Sequence, residues 1–341
     1  METHTAKRPR VVTIGGGTGQ YTILSGLKEY PIDIAAIVSM ADDSGSTGVL
    51  RDELGVLPPG DVRQCLAALS KETPTMRALF SYRFSAGPVK GHAFGNLFLS
   101  ALEKITGSFA AAVAEACRIL SVYGEVIPVT EGNMRLLVEL KDGSHVSGEH
   151  VLDGNEQVRT TGVKRISLQT PVSAHPRAIE CIKNADLIVI GPGDLYGSVL
   201  PPFLVPAIAQ AVREATAPLM YVANLTNKKG QTEGFSAHDY AHVVHEYLGA
   251  HCIDVLLCNT TPPAPHLLER YVQQEGKGMI VGLAPSKEGS PYRVIARDLI
   301  SSDSQMIHPH DEAGLSRSYI RHDSIKLAAA VIEVLAEKVR V

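Results

Sequence analysis

Tryptophan is absent from this 341-residue chain, and aromatic residues make up only 5% of it. Proteins that bind single-stranded nucleic acid stack the bases on aromatic side chains, so a base-stacking surface is not expected. The net charge is −4 at pH 7, which gives the chain no overall attraction to nucleic acid or to anionic lipid. These absences argue against a nucleic-acid partner.

Cysteine is scarce too, with five residues and no pair in C-x-x-C spacing. An odd number of dispersed cysteines argues against a disulfide framework and a zinc knuckle, and it is typical of a reducing compartment. No apolar run approaches the roughly 18 residues of a membrane helix. The polar start METHTAKRPR lacks the pattern of a secretory signal. We therefore expect a cytoplasmic protein without a membrane span.

What the sequence does contain is an α/β pattern near its start. Arg10–Ile14 is a β-branched run that ends at a glycine-rich turn, and apolar residues then follow helical spacing to Tyr30. Ile32–Met40 has the composition of a second strand. Near-continuous apolar strands indicate a sheet that is covered on both faces. The pattern predicts a Rossmann-like, doubly wound, mostly parallel sheet.

The next 130 residues change in character. Residues 41–61 are predicted to form a long loop, which in a compact domain is usually functional. The runs Met134–Leu140 and His145–Leu152, joined by an Asp-Gly turn, predict a small antiparallel insertion at about 125–170. The helices predicted between these two regions are Val62–Lys71, Thr75–Phe84, Phe94–Ile105 and Phe109–Tyr123.

The strand-helix pattern then resumes, and we predict one domain over residues 8–341. Ser301–Ser318 is interpreted as a polar loop, and Gly191–Pro202 as another loop. The predicted strands are Asp186–Ile190, Leu219–Ala223, Ile253–Cys258, Met279–Leu283 and Tyr292–Ala296. The predicted helices are Pro176–Asn184, Phe203–Glu214, Ser236–Leu248 with Ser236 as N-cap, and a terminal helix at Asp323–Val339. The apolar side of that last helix is expected to hold Ile325, Leu327, Ala328, Val331, Ile332 and Leu335.

The turn after the first strand is the first candidate ligand site. Glycines allow positive φ angles and close backbone approach, and the positive end of the following helix favours phosphate. The turn matches neither the complete G-x-G-x-x-G fingerprint nor a Walker loop, and a tight turn without a ligand is the alternative. The candidate residues are Gly15, Gly16, Gly17, Thr18 and Gly19.

Two carboxylates follow the second strand, where ligands bind in open parallel sheets. One of Asp42 and Asp43 could accept a hydrogen bond from a ribose hydroxyl, or the pair could hold Mg²⁺ beside a diphosphate. A solvated N-cap pair is the alternative. The Gly-Ser-Thr-Gly run after them, with Ser46 and Thr47, is interpreted as a second flexible turn with exposed N–H groups.

Basic and polar residues in the following segment are weaker candidates. Arg51 and Arg63 could each clamp a phosphate or carboxylate, although surface arginines are more common. His92 and Asn96 lie beside two glycines at a helix start, where a packed histidine is an equal alternative to a ligand role.

A second glycine loop follows a later strand and should lie on the same sheet edge as the first. Its candidates are Gly191, Gly193, Asp194, Tyr196 and Ser198, with a plain crossover turn as the alternative. Asn224 ends the next strand and fits the same strand-end rule. Lys228 and Lys229 are expected to lie in a solvated turn.

Five segments in order, GGGTG, ADDSGSTGVLR, PPGDVRQCL, GHAFGNL and GPGDLYGS, resemble the gluconeogenesis-factor family, the CofD-like group. The resemblance implies a Rossmann-like fold, a nucleotide-diphosphate site and binding of a UDP-sugar, notably UDP-N-acetylglucosamine. It also implies a role in cell shape and cell-wall homeostasis during growth on gluconeogenic carbon. It adds Ser44, Asp61 and the closing Arg321 to the candidate ligand residues.

Three functions stay open from the sequence. The first is a regulator that binds a UDP-sugar without converting it, with or without Mg²⁺, and that could form a homo-oligomer. The second is a 2-phospho-L-lactate transferase, in which a metal on Asp42 and Asp43 would neutralise the departing nucleotide. The third, an NAD-dependent dehydrogenase, rests on fold analogy alone. The Ser-Gly-Ser-Thr-Gly run after Asp43 favours the regulator, since the transferase pattern lacks it.

Overall fold

The computed structural model of the chain describes residues 8–71, 73–276, 278–283, 290–302 and 319–339. Ten strands form within these residues: β1 Arg10–Gly15, β2 Asp33–Val38, β3 Glu125–Pro128, β4 Leu136–Leu140, β5 His145–Ser147, β6 Val163–Leu168, β7 Leu187–Ile190, β8 Leu219–Val222, β9 Val255–Asn259 and β10 Arg293–Arg297.

The α-helices of the described residues connect these strands. They are α1 Gly17–Leu27, α2 Gly45–Leu54, α3 Gly60–Leu69, α4 Pro74–Ser81, α5 Phe94–Thr106, α6 Phe109–Ile119, α7 Glu156–Thr161, α8 Pro176–Lys183, α9 Pro206–Glu214, α10 Ala237–Leu248, α11 Pro265–Glu275 and α12 Ser324–Val339.

The main sheet has seven strands in the order β10-β9-β8-β7-β1-β2-β3, and every neighbouring pair is parallel. The chain winds outward from β1 to β3 and then returns to the other side of β1 to build β7 to β10. All residues of β7 and β8 are buried, because helices cover a doubly wound sheet on both faces. The predicted fold class is therefore confirmed.

The insertion is smaller than predicted. A separate three-stranded antiparallel sheet, β5-β4-β6, is present as expected. The segment Glu125–Pro128 is not part of it, because it pairs in parallel with β2 as an edge strand of the main sheet. The predicted strand His145–Leu152 was also too long, since it ends at Ser147 and a 3₁₀ turn follows over His150–Leu152.

Several predicted loops and strands were wrong. Residues 41–61 are not one long loop, because α2 forms within them. The segment Met279–Leu283 makes only an isolated bridge between Ile280 and Thr226, and α11 was not predicted. The loop Gly191–Pro202 contains a single π-helical turn, Leu195–Val199, and the following helix begins at Pro206 rather than Phe203. The predicted polar loop Ser301–Ser318 lies, apart from its first two residues, outside the described residues.

Helix α12 packs against α1. A β-carbon at Gly26 would lie 2.1 Å from the carbonyl oxygen of Ser324, so glycine allows this close approach. The prediction for Ile325 was wrong, because its side chain is 72% exposed, while Ala330 and Val334 are buried instead. No single helix in the described ranges is long and apolar enough to cross a membrane. The pair α5 and α6 meets that test only together, and it is bent by 119°.

Candidate functional site

The winding direction reverses between β1 and β7, and this point of an open α/β sheet is where ligands bind. The glycine loops after these two strands are in direct contact. A β-carbon at Gly19 would lie 2.1 Å from the carbonyl oxygen of Pro192 and 2.9 Å from the α-carbon of Gly193. The expectation that both loops share one sheet edge is thus confirmed. The region that Gly15–Gly19 and Gly191–Ser198 border at this edge is the crevice.

The loop after β1 has the geometry of a phosphate-binding turn. Gly16 is the N-cap of α1 with extended backbone, and Gly17 has a φ of +63°, which favours glycine. Gly16 has no side chain to cap the helix at this end, and N–H groups at a helix start are donors that can bind an anion. Gly15 is the last residue of β1, and Thr18 is exposed in the first helical turn.

Asp61, at the start of α3, lies against this loop. A β-carbon at Gly16 would be 2.2 Å from Asp61 Oδ2 and 3.4 Å from the β-carbon of Ser198. Asp61 is buried, with 7% of its surface exposed. Gly16 is therefore enclosed between an acidic side chain from α3 and a serine from the loop after β7, with no room for a side chain of its own.

Asp42 and Asp43 face in different directions. Asp42 Oδ1 accepts hydrogen bonds from the Ser44 backbone N–H (3.0 Å) and hydroxyl (2.8 Å). Its Oδ2 would be 2.3 Å from a β-carbon on Gly60, at the start of α3. Asp43 Oδ1 instead bonds the backbone N–H (2.8 Å) and Nδ1 (2.9 Å) of His150. Asp42 thus faces the crevice side of α3, whereas Asp43 ties the loop to the small sheet.

The predicted magnesium site of Asp42 and Asp43 depends on which other metal ligands lie nearby. Among the described residues no group of three or more histidine, cysteine, aspartate or glutamate side chains is arranged to hold a metal by itself. Mg²⁺ usually takes only one or two carboxylates and completes its shell with water and phosphate oxygens. Asp42, beside Asp61's helix, is compatible with that second kind of site.

The Gly-Ser-Thr-Gly run is not the flexible turn predicted. Ser44 is the N-cap and Gly45 the first residue of α2, so the run forms a helical turn whose Thr47 is buried. Thr47 Oγ1 would lie 2.5 Å from a β-carbon on Gly60. The prediction failed because glycines suggested a break, and the helix has only a narrow buried face: Val49 and Leu54 are more than 40% exposed.

Four of the predicted residues meet in one hydrogen-bond network. Ser46 Oγ shares a hydrogen bond with His92 Nδ1 (3.0 Å) and accepts another from Asn96 Nδ2 (3.2 Å). The Asn96 side-chain oxygen accepts from Arg63 Nε at 2.9 Å. A β-carbon at Gly95 would lie 2.8 Å from the Arg63 side chain, so the arginine fits beside this position because glycine has no β-carbon. The GHAFGN segment therefore positions α2 and α3 relative to each other.

Arg51 has an unusual environment for a charged residue. It is 6% exposed, and its Nη2 donates to Asn133 Oδ1. Its Nε and Nη1 have no hydrogen-bond partner in the described residues. Burial, and next the positive charge of Arg135, lower the pKa of Arg51, while Asp43, Asp52 and Asp42 oppose that shift. The Nε and Nη1 groups of this buried guanidinium could donate to an anion, and ligand binding by Arg51 stays a prediction.

The loop after β7 is built around an ion pair. Asp194 caps the π-helical turn by accepting from the Gly197 N–H at 2.8 Å, and it pairs with Lys228. Burial acts to raise the pKa of Asp194, but Lys228 more than offsets it and the pKa lies below its ordinary value. The prediction of a solvated Lys228 was wrong, because it bridges Asp194 and Asp153. Tyr196 is 4% exposed and packs in the core.

Glu149 was missed by the sequence reasoning. A β-carbon at Gly197 would lie 2.8 Å from Glu149 Oε1. Burial, and next the charges of Asp42 and Asp194, hold the pKa of Glu149 well above its usual range. No motif marks this residue, which reaches the crevice only because the small antiparallel sheet folds over the main one. The carboxyl group of Glu149 therefore lies among those of Asp42, Asp194 and Asp61.

The remaining candidates lie at the end of β8 and in the segment before α12. Asn224 Nδ2 donates to the carbonyl oxygen of Gly193 at 2.7 Å, which joins the strand end to the loop after β7. The Arg321 carbonyl accepts from the Ser301 N–H at 2.9 Å. His322 pairs with Ile300 in an isolated bridge. The two glycine loops and Asn224 therefore meet at one sheet edge, and ligand binding by each of the predicted residues stays a prediction.

A separate cavity of about 630 Å³ lies beside the small sheet. Its walls are formed by two segments, Glu131–Asn133 with Arg135, and Gln169–Pro176. None of these residues was predicted to bind a ligand. Arg51 contacts the cavity wall through Asn133, and the charges of Asp43 and Asp42 also act on its guanidinium.

Comparison with known proteins places this architecture in a family. Residues 11–300 match the profile of a family described as 2-phospho-L-lactate transferase CofD. A gluconeogenesis factor of Bacillus subtilis is 36% identical, over 97% of this chain and 99% of its own length. A putative gluconeogenesis factor of Thermotoga maritima is 38% identical, over 94% and 98% of the two chains.

A solved structure extends this comparison to the fold. The crystal structure of a Bacillus halodurans protein superposes with a TM-score of 0.85 at 34% identity, covering 96% of this chain and all of that one. The match to the family profile includes both glycine loops and the carboxylates between them. The chain belongs to the CofD family and, within it, to the gluconeogenesis factors.

Proposed function

We propose that this protein is a cytosolic factor that binds a nucleotide-diphosphate sugar, with UDP-N-acetylglucosamine as the ligand, and does not convert it. In this proposal the bound sugar nucleotide reports on precursor supply and supports cell shape and cell-wall homeostasis during gluconeogenic growth. The observation that carries the proposal is the contact between the two glycine loops at the reversal point of the sheet. The names of its relatives, gluconeogenesis factors, support the link to gluconeogenic growth.

The crevice offers backbone donors and a hydroxyl to a diphosphate. The N–H groups at the start of α1, which Gly16 has no side chain to cap, lie on one side, and the hydroxyl of Ser198 lies on the other. Such N–H groups at a helix start bind phosphate oxygens well. The end of β2, with Asp42, is where the ribose of a nucleotide would be expected.

The acidic side chains of the crevice make a cation necessary in this proposal. The carboxylates of Asp42 and Asp61 would repel a diphosphate, and burial together with the neighbouring carboxylates holds the pKa of Glu149 well above its usual range. Mg²⁺ held by Asp42 and Asp61 would neutralise the phosphate charge when bound. Chelation of Mg²⁺ should therefore weaken nucleotide binding.

A second function, transfer of a phospholactyl group from a nucleotide donor to a deazaflavin acceptor, is supported by the description of the matched family. The hydrogen-bonded pair of Ser46 and His92 could in principle activate a hydroxyl. The serine is, however, held by Asn96, and its network leads to Arg63 rather than to a carboxylate. This arrangement suits a positioning role better than a nucleophile.

The two functions differ in turnover. We expect purified protein to bind UDP-N-acetylglucosamine stoichiometrically and to leave it intact over hours with Mg²⁺. We also expect no product from a deazaflavin acceptor with nucleotide-activated phospholactate. Chromatography of nucleotide and acceptor at matched concentrations measures both. Multiple turnovers that disappear in Asp43→Ala or Ser46→Ala would support the transferase instead.

A further inference from the structure

The end of β8 carries two buried hydrogen-bond acceptors that lack a partner in the described part of the chain. They are the side-chain oxygen Oδ1 of Asn224 and the ring nitrogen Nε2 of His322. A buried polar atom without a partner destabilises a folded protein, so each such atom calls for an explanation. The hydroxyl of Tyr221 is also unpartnered, but its ring lies beneath Gly191 rather than at the strand end.

The orientation of Asn224 is fixed by the loop after β7. Its amide nitrogen donates to the Gly193 carbonyl oxygen at 2.7 Å. A carbonyl can only accept, so the NH₂ group must point to Gly193 and Oδ1 must point away from it. The free acceptor is thus held beside the loop after β7, turned away from the Gly193 carbonyl.

The ring of His322 lies next to the backbone carbonyl of Ala223, the residue before Asn224, and this carbonyl acts to raise the pKa of His322. Nε2 is the ring nitrogen that is buried without a partner in the described residues. With the proton assigned to Nδ1, Nε2 offers a lone pair. Burial lowers the pKa of His322 to about 4, so the ring is neutral at pH 7. Both groups therefore present acceptors at neighbouring points of one strand end.

The position of this pair selects one part of the proposed ligand. Strand β8 neighbours β7 on the side away from β2. A nucleotide whose diphosphate occupies the crevice, and whose ribose lies near Asp42 at the end of β2, extends its distal group toward β8. Two lone pairs at this place attract hydroxyl or N–H donors and repel the oxygens of a carboxylate or phosphate.

We infer that Asn224 and His322 form a subsite that accepts hydrogen bonds from hydroxyl or N–H groups of the sugar beyond the diphosphate. This inference rests on the proposed function and deepens it, because it names the residues that distinguish a nucleotide-sugar from the bare nucleotide. It also disfavours a distal phospholactyl group, whose carboxylate would face two acceptors.

The test compares UDP-N-acetylglucosamine with UDP on the wild type and on His322→Asn. Asparagine keeps an N–H donor near the place of Nδ1, and so the bond to Ala223, but removes Nε2. We expect the affinity for UDP-N-acetylglucosamine to fall about tenfold, since a sugar donor loses its partner, while the affinity for UDP changes less than about twofold. Asn224→Leu should show the same selectivity. His251→Gln, a substitution at an exposed histidine outside the crevice, serves as the control.

The outcomes separate the subsite from the function. If the wild type binds neither compound in calorimetric titration, the proposed function is wrong and the subsite falls with it. If the wild type binds both compounds equally, or if His322→Asn weakens both to the same extent, the nucleotide site stands and the sugar subsite is wrong. A sugar analogue with fluorine in place of single hydroxyls, which cannot donate, should weaken binding to the wild type but not further to His322→Asn.

Discussion

The Gly19→Ala variant is expected to lose at least about 100-fold in affinity for a nucleotide-diphosphate sugar. Its β-carbon would lie 2.1 Å from the Pro192 carbonyl oxygen and 2.5 Å from the carbonyl carbon, and both atoms are backbone. The two loops must therefore separate, and the loss corresponds to about 3 kcal/mol of binding. Overpacking of this kind costs about 1–3 kcal/mol of stability. Calorimetric titration and thermal unfolding measure the two effects.

Gly282→Ala is the matched control for this prediction. Gly282 is exposed, its backbone lies outside the left-handed region, and no atom lies within 4 Å of the added carbon. It should bind ligand and unfold as the wild type does. Unchanged affinity in Gly19→Ala would show that contact between the loops is not needed for binding. Gly17→Val is a poorer test, because the φ of +63° strains valine even without a ligand.

The Arg51→Leu variant is expected to lose at least about 30-fold in ligand affinity without loss of stability. Removing a buried charged partner from a complex costs about 2–5 kcal/mol. In the free protein, by contrast, the guanidinium has two nitrogens without partners among the described residues. Replacing it with an apolar side chain of similar length should leave the free energy of unfolding unchanged or raise it by about 1 kcal/mol. The measurements are titration and denaturant unfolding on the same samples.

Arg135→Leu is the control for charge alone. Arg135 pairs with Asp52 at the surface, where its side chain is 40% exposed. Exposed ion pairs contribute little, about 0–1 kcal/mol, so neither affinity nor stability should change much. A destabilised Arg51→Leu that still binds ligand normally would mean that Arg51 holds α2 in place and does not meet an anion.

The sequence predicted the parts of the fold that short-range patterns determine. The β-branched run before Gly15 and the helical spacing after it define the first strand, turn and helix. The N-cap at Ser236 was confirmed with a capping box to Asp239, because a serine followed three residues later by an acid is a local signal. The common edge of the two glycine loops followed from the direction of parallel strands.

The parts that failed depend on contacts distant in sequence. Helix α2 has too narrow a buried face to show helical periodicity, and it is stabilised by the Ser46 network with residues about 50 positions away. Lys228 lies in a segment with the composition of a surface turn, yet its ammonium group forms ion pairs with Asp153 and Asp194. Glu149 enters the crevice only through the packing of the small sheet. Ile325 fits an apolar helix face by spacing and is nevertheless exposed.

A crystal structure with UDP-N-acetylglucosamine and Mg²⁺ tests the central claim most directly. The account predicts diphosphate oxygens within about 2.7–3.2 Å of the backbone N–H groups at the start of α1, enclosed between Gly17 and Ser198. The metal would lie on the side of Asp42 and Asp61, and the sugar would lie over the end of β8. Ligand density in the 630 Å³ cavity between residues 131–135 and 169–176, with an empty crevice, would contradict it.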